Sequence, residues 1–236
     1  MTAFRPTGFR GGPNASDRIA PGDLPIGGDS LAPGAITTVG AGTLTGAAIA
    51  SGYIYRTGPV GGYTDTTDTA SNILTALAGN GYAADLLNGS TFKVLFINTV
   101  AQAMTLAYGA GVIAGIGTQN VAASLVREYL FTVLNNSAPN TLAVNATNGS
   151  AVFTFVTATN QTAIPIFGPS AIGFTPGATV TAAAGIAAGT TLLSLAYGMG
   201  GVTGGTLSAN FTGTTGVVSY TFGPTIKIDG VRSSTL

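Results

Sequence analysis

Cysteine, histidine and tryptophan are absent from these 236 residues, and only 16 side chains carry charge, eight of each sign. Without cysteine there is no disulfide, no thiol nucleophile and no thiolate metal site. Without histidine the commonest general base and the commonest transition-metal ligand are missing. The sparse, balanced charge leaves no Lys/Arg cluster to neutralise phosphates, so nucleic acid is not an expected partner. After Glu128 the next charged residue is Lys227, with 98 uncharged positions between them. Soluble domains carry roughly a quarter charged residues. Such a stretch is either buried against other protein chains or kept soluble by Thr, Asn and Ser side chains. Neither an enzyme nor a cofactor or metal site is expected.

Long apolar runs are also scarce. Ala182–Val202 is uncharged and about as long as a membrane span, but it holds five glycines and lacks a basic flank and paired aromatic belts. It reads as strands and turns, and no membrane association is expected. The opening MTAFRPTGFRGGP has no apolar core, so no export leader is expected.

What the chain does have is strand signal. Ser90–Val133 alternates apolar residues at Phe92, Val94 and Phe96, and again at Leu125, Tyr129, Phe131 and Val133, the period-two pattern of half-buried strands. Gly52–Arg56 reads as a further strand. Thr141–Asn145 and Ala151–Thr157 read as a hairpin turned at Asn148-Gly149, and Ser219–Ile228 as a late strand. One short helix is predicted at Ala70–Ala78, where Ile73, Leu74 and Leu77 share a face. Asp68 or Thr69 would cap it, and Gly79 is placed to end it.

The expected fold is all-β: an antiparallel β-sandwich or jelly-roll-like body with one short helix and an extended N-terminal arm. Residues 1–40 form the arm, because Pro6, Pro13, Pro21, Pro25 and Pro33 recur without an apolar period. Residues 41–159 form the sandwich. Residues 160–236, rich in Gly, Ala and Thr, are either a second small domain or the completion of the first. Leu106–Gly111 (LAYGAG) recurs as Leu195–Gly200 (LAYGMG), which reads either as a decayed duplication or as a chance match of small residues.

Few motifs carry chemistry. Gly109-Ala-Gly111 and Gly198-Met-Gly200 imitate nucleotide loops but open no helix, so they read as turns. Asp65 and Asp68 are the one close acidic pair beside polar residues. Helix capping explains them more simply than calcium or hydrolysis. Arg127-Glu128 interrupts an apolar strand, with the two side chains on opposite faces, as a surface pair or in a subunit interface.

The ordered pieces GYIYRTGPVGGYTDTTDTASNILTAL, GSTFKVLFINTVAQAMTLAYGAGV and SLVREYLFTVLNNS resemble a module of tailed-bacteriophage virion proteins, similar to head-decoration (cement) proteins. The resemblance covers roughly Gly42–Thr157. It implies a structural and non-enzymatic role: a decoration protein on the capsid surface of the virion, binding the major capsid protein and itself as a homotrimer or dimer. The arm would bind the capsid through Phe4, Arg5, Phe9, Arg10, Arg18, Ile19, Leu24, Ile26 and Leu31. Subunit contact would involve Arg127, Glu128, Phe167, Phe174, Tyr197 and Phe211. The alternative is a tail, baseplate or fibre component with a host-receptor role. Its carbohydrate platforms would come from Tyr53, Tyr55, Tyr63 and Tyr82.

Overall fold

The computed structural model describes residues 34–82, 87–156, 175–198 and 201–235. It is strand-rich, in two bodies with separate cores.

The first body begins as a coil. Strand β1 (Gly34–Ile36) turns into β2 (Gly42–Leu44) and helix α1 (Gly46–Ala50). The path repeats as β3 (Tyr53–Arg56), β4 (Tyr63–Thr67) and α2 (Ala70–Leu77), then again as β5 (Thr91–Asn98) and β6 (Met104–Ala107). Successive turns stack: β1, β3 and β5 pair in parallel, as do β2, β4 and β6, and α1 lies against α2. The pairing places Ile36, Arg56 and Asn98 in one column and Gly42, Asp65 and Leu106 in another.

Both helices start alike. The Thr45 hydroxyl accepts from the Ala48 amide and the Thr69 hydroxyl from the Asn72 amide, each at 3.2 Å. This satisfies one of the free donors of each first turn. Gly46 lets the helices approach, since a Cβ there would sit 2.6 Å from the Asn72 carbonyl oxygen. Thr69 and α2 match the sequence expectation. The helix does not stop at Gly79, however: Ala78–Tyr82 continues it as a π-helical turn. Helix α1 was not anticipated.

After β7 (Val112–Ala114) comes the long β8 (Leu125–Asn135). The last strand, β15 (Thr225–Thr235), returns to this body. The first sheet therefore runs β1-β3-β5-β8-β15-β7, with β8 antiparallel to both neighbours and β7 parallel to β15. Phe92, Val94, Phe96, Tyr129, Phe131, Ile226 and Ile228 point inward onto Ile49, Ile73 and Leu77. The Phe92 and Phe131 rings stack at 4.9 Å. An antiparallel sandwich or jelly roll was expected, whereas this sheet is mixed and the three-stranded one wholly parallel. The helices supply the crossovers that parallel neighbours require.

The second body is inserted between β8 and β15. It comprises β9 (Asn140–Ala146), β10 (Val152–Phe155), β11 (Thr179–Thr181), β12 (Leu192–Gly198), β13 (Gly201–Leu207) and β14 (Gly216–Gly223). These pair antiparallel in the order β11-β14-β9-β10-β13-β12. The two outer strands then meet at one end. Thr179 bridges to Thr191, the Val180 amide donates to the Thr190 carbonyl and the Leu192 amide to the Ala178 carbonyl, both at 2.8 Å. The sheet thus curls into a partly closed barrel. Its interior centres on Phe153, whose ring lies 5.5 Å from Tyr220, 5.5 Å from Phe155 and 5.8 Å from Phe222. The β9–β10 hairpin forms as expected, with Gly149 at φ +79°, a conformation that glycine adopts without strain.

The barrel takes strands from both sides of the expected boundary at 159/160, while β15 belongs to the first sheet. Likewise, residues 34–40 at the end of the expected arm form β1 and the first corner of the coil. A polar junction ties the two bodies. Asn135 donates to the Gly223 carbonyl at 2.8 Å, Thr175 to the Asn135 side chain at 3.3 Å, and Asn88 to Thr175 at 3.0 Å.

Candidate functional site

The densest group of ionisable side chains lies inside the coil. Arg56 and Asp65 are fully buried and paired, Nε to Oδ2 at 2.8 Å and Nη2 to Oδ1 at 3.2 Å. Arg56 Nη1 also donates to the carbonyls of Ile36 (3.1 Å), Thr38 (2.8 Å) and Thr57 (2.9 Å), and Nη2 donates to that of Gly40. Asp65 Oδ1 accepts from the Gly42 amide at 2.8 Å. The Tyr63 ring lies 4.7 Å from the guanidinium carbon, and its hydroxyl donates to Asn98 Oδ1 at 2.8 Å. Burial, with the Asp65 charge adding to it, pushes the Tyr63 phenol well above its ordinary range. This cluster is satisfied on every side and closed to a substrate; it fastens the first corner of the coil to the second.

Asp68 is also occupied. It accepts from the amides of Gly46 (3.0 Å) and Thr69 (2.8 Å) and from the Asn72 side chain (2.7 Å). Partial burial raises its pKa, but these three hydrogen bonds outweigh it and hold the carboxyl below its usual value. The Asp65/Asp68 pair is therefore a pin and a cap rather than two free carboxylates. A groove between α2 and the two inter-body linkers is lined by Ser71, Leu74, Thr75, Ala78, Asn136 and Pro224, none of them ionisable.

What remains is surface. The outer face of the first sheet carries Lys93, Glu128, Lys227, Asp229 and Arg232, five of the nine charged side chains among the described residues. Glu128, 5% exposed, lies between Lys93 Nζ at 3.3 Å and Arg232 Nε at 2.8 Å. Lys227 pairs with Asp229 at 3.0 Å. Beside them on β3, Tyr53 and Tyr55 stand 39% and 40% exposed, in register with Leu95 and Ile97.

Arg127 takes the opposite side of β8 from Glu128, as their adjacency requires. Its Nη2 donates to the Asn120 carbonyl at 3.1 Å, and its Nε is buried without a partner among the described residues. Within the chain, then, Glu128 is already held by two cations. Phe211 is 2% exposed and lies 6.3 Å from Tyr220 inside the barrel, so its ring belongs to the chain's own core and differs from the expected subunit contact. Phe167 and Phe174 lie outside the described residues, as do the arm residues Phe4, Arg5, Phe9, Arg10, Arg18, Ile19, Leu24, Ile26 and Leu31. Of the suggested carbohydrate platforms, Tyr53 and Tyr55 are open and Tyr63 is buried, and the Tyr82 side chain is outside the described set.

Tyr197 is 67% exposed on β12, which forms one side of the barrel. No residue of the barrel strands is charged. Their outward positions are mostly hydroxyl or amide side chains, such as Thr141 and Thr221, whose oxygens meet at 2.8 Å. Val152, Leu193, Tyr197 and Val217 are exposed among them. The surface of the uncharged stretch thus mixes hydroxyl and amide side chains with exposed apolar ones. Sequence reasoning picked out Tyr197 but missed Leu193, four residues earlier on the same strand. Comparison with protein-family models, with curated proteins and with solved structures gives no match.

Proposed function

We propose that this chain is a structural virion protein, a capsid decoration protein that works through contact surfaces and not through catalysis. The observation that carries this reading is the wholly uncharged barrel with large apolar side chains at its surface, built into a body whose ionisable cluster is buried and saturated. Without charge, recognition rests on shape, apolar burial and backbone hydrogen bonding to another chain, as in strand addition at a sheet edge. Repetition over a lattice then multiplies a modest contact into firm attachment. The ordered motifs from Gly42 to Thr157 that resemble phage head-decoration proteins favour the same reading. Residues 1–40 are assigned the contact with the major capsid protein, and the barrel is assigned the self-contact.

A second reading, a tail, baseplate or fibre component that meets a host glycan, is favoured by Tyr53 and Tyr55 standing two residues apart on an open sheet face. One experiment separates the two. Purified protein is incubated with undecorated capsids and the particles are imaged by cryo-EM. Decoration predicts regular density over capsomer junctions for the full chain and its loss when residues 1–33 are removed. Bare capsids, with the protein found on tails of native virions, would overturn decoration in favour of the second reading.

A further inference from the structure

On one side β12 pairs with β13 along its length. On the other, it is tied to the β11 segment only at its beginning, through Thr190–Leu192. From Ser194 to Gly198 that second side has no strand beside it among the described residues. Edge strands present a row of unpaired backbone donors and acceptors, and proteins usually blunt them with lysine, proline or an inward charge. The segment Leu192–Gly198 (LLSLAYG) has none of these.

Two register shifts interrupt the β12–β13 ladder, and they differ in kind. The first places an extra residue, Leu193, on β12; the second places the extra residue, Thr203, on β13. β12 itself is thus regular from Ser194 onward, where Leu195 and Tyr197 share one side and Ser194, Ala196 and Gly198 the other.

We propose that β12 is a self-pairing edge: two copies of this chain join antiparallel through Ser194–Gly198. The two-fold axis passes at Ala196 and sets Leu195 across from Tyr197 of the partner subunit. The partner is assigned by chemistry. Residues 129–226 are uncharged, so two copies meet without repulsion and a charged partner finds no complement. The arm is a poor strand for this edge, because Pro6, Pro13, Pro21, Pro25 and Pro33 each remove a donor. The second copy supplies an unbroken strand of matching length, and the symmetric register produces two aliphatic–aromatic cross-strand pairs. This inference deepens the self-contact assigned to the barrel above and rests on that assignment alone, not on the capsid.

The test is sedimentation equilibrium of the full chain and three variants. Tyr197 is 67% exposed, so Tyr197→Lys is expected to keep the melting curve of the parent; Leu195 is partly buried, so Leu195→Glu is measured below its own melting transition. The parent is expected to associate reversibly as a dimer. Each single variant is expected to weaken association by about tenfold or more, since both symmetric pairs are lost. The double variant Leu195→Glu/Tyr197→Lys is expected to recover it, because the proposed register sets each lysine against a glutamate of the partner. An oligomer indifferent to the single variants would overturn the edge assignment while leaving a self-contact elsewhere on the barrel. A double variant no tighter than the singles would overturn the register. A parent that stays monomeric at every attainable concentration would overturn both the edge and the self-contact, while capsid binding would still be decided by the imaging experiment.

Discussion

Replacing Arg56 with methionine is expected to destabilise the chain by about 3–5 kcal/mol, the range for breaking a buried ion pair from one side. In a protein of this size that lowers the melting temperature by roughly 10 °C. The cause is what the guanidinium leaves behind. Asp65 would remain fully buried with only the Gly42 amide as donor, and the carbonyls of Ile36, Thr38, Gly40 and Thr57 would each lose a hydrogen bond. Arg56→Lys should rescue little, because an ammonium cannot donate in the planar fork that reaches Asp65 and four carbonyls at once. The double variant Arg56→Met/Asp65→Asn should cost less than the sum of the singles, since no buried charge is then stranded. Denaturant unfolding of the four variants measures this directly, and additive losses would show that the two side chains act separately.

Phe153→Ala is expected to have a comparable effect, about 3–5 kcal/mol, but in the other body. Phe153 contacts Phe155, Tyr220 and Phe222 at the centre of the barrel, and among the described residues no aromatic ring of the first body approaches it. The two cores share no residue. The expected signature in hydrogen exchange is therefore local: faster exchange in β9, β10, β13 and β14, with β5 and β8 unchanged. Equal loss of protection in β5 and β8 would mean that the bodies unfold as one.

These two sites also show where the sequence was readable. The β9–β10 hairpin, β5, β8 and the Thr69-capped helix are specified by neighbours a few residues apart, and local alternation or spacing displays them. The coil is different. β3 pairs with β5 across 42 positions and with β1 across about 20, so the turns have no fixed period. Parallel stacking also leaves no mark of its own in the alternation. The repeat is nonetheless present as YIYRT at 53–57 and LFINT at 95–99, whose residues sit side by side, with the Thr99 hydroxyl donating to the Arg56 carbonyl at 2.8 Å. Their alignment with each other is visible only once the strands are paired.

The LAYGAG/LAYGMG echo misleads in the opposite direction. The first copy is a corner that carries the chain from β6 in the three-stranded sheet to β7 in the first sheet, and the second begins in β12, whose partner β13 follows directly. The same small residues thus stand in two unrelated settings. Ser219–Ile228 reads as one strand, yet it is divided at Pro224 between β14 in the barrel and β15 in the first sheet. Proline's missing donor suits it to such a break. The candidate surfaces were legible in part, through Tyr197 and the missing charge. The burial of Phe211 and the ion pairs around Glu128 depend on contacts 9 and 104 residues away in sequence, which no local pattern encodes.

The barrel is an insertion into a β8–β15 hairpin, and the self-contact is proposed to lie on it, so the coiled body is expected to stand without it. Asn135 and Thr225 face each other as a strand pair, so their backbones are close enough for a short turn to join them. The measurement is hydrogen exchange and sedimentation on a chain in which residues 136–224 are replaced by Asn-Gly. The expected result is a monomer with β5, β8 and β15 still protected and one cooperative unfolding transition. A chain that is unprotected throughout, or one that still self-associates like the parent, would contradict the account.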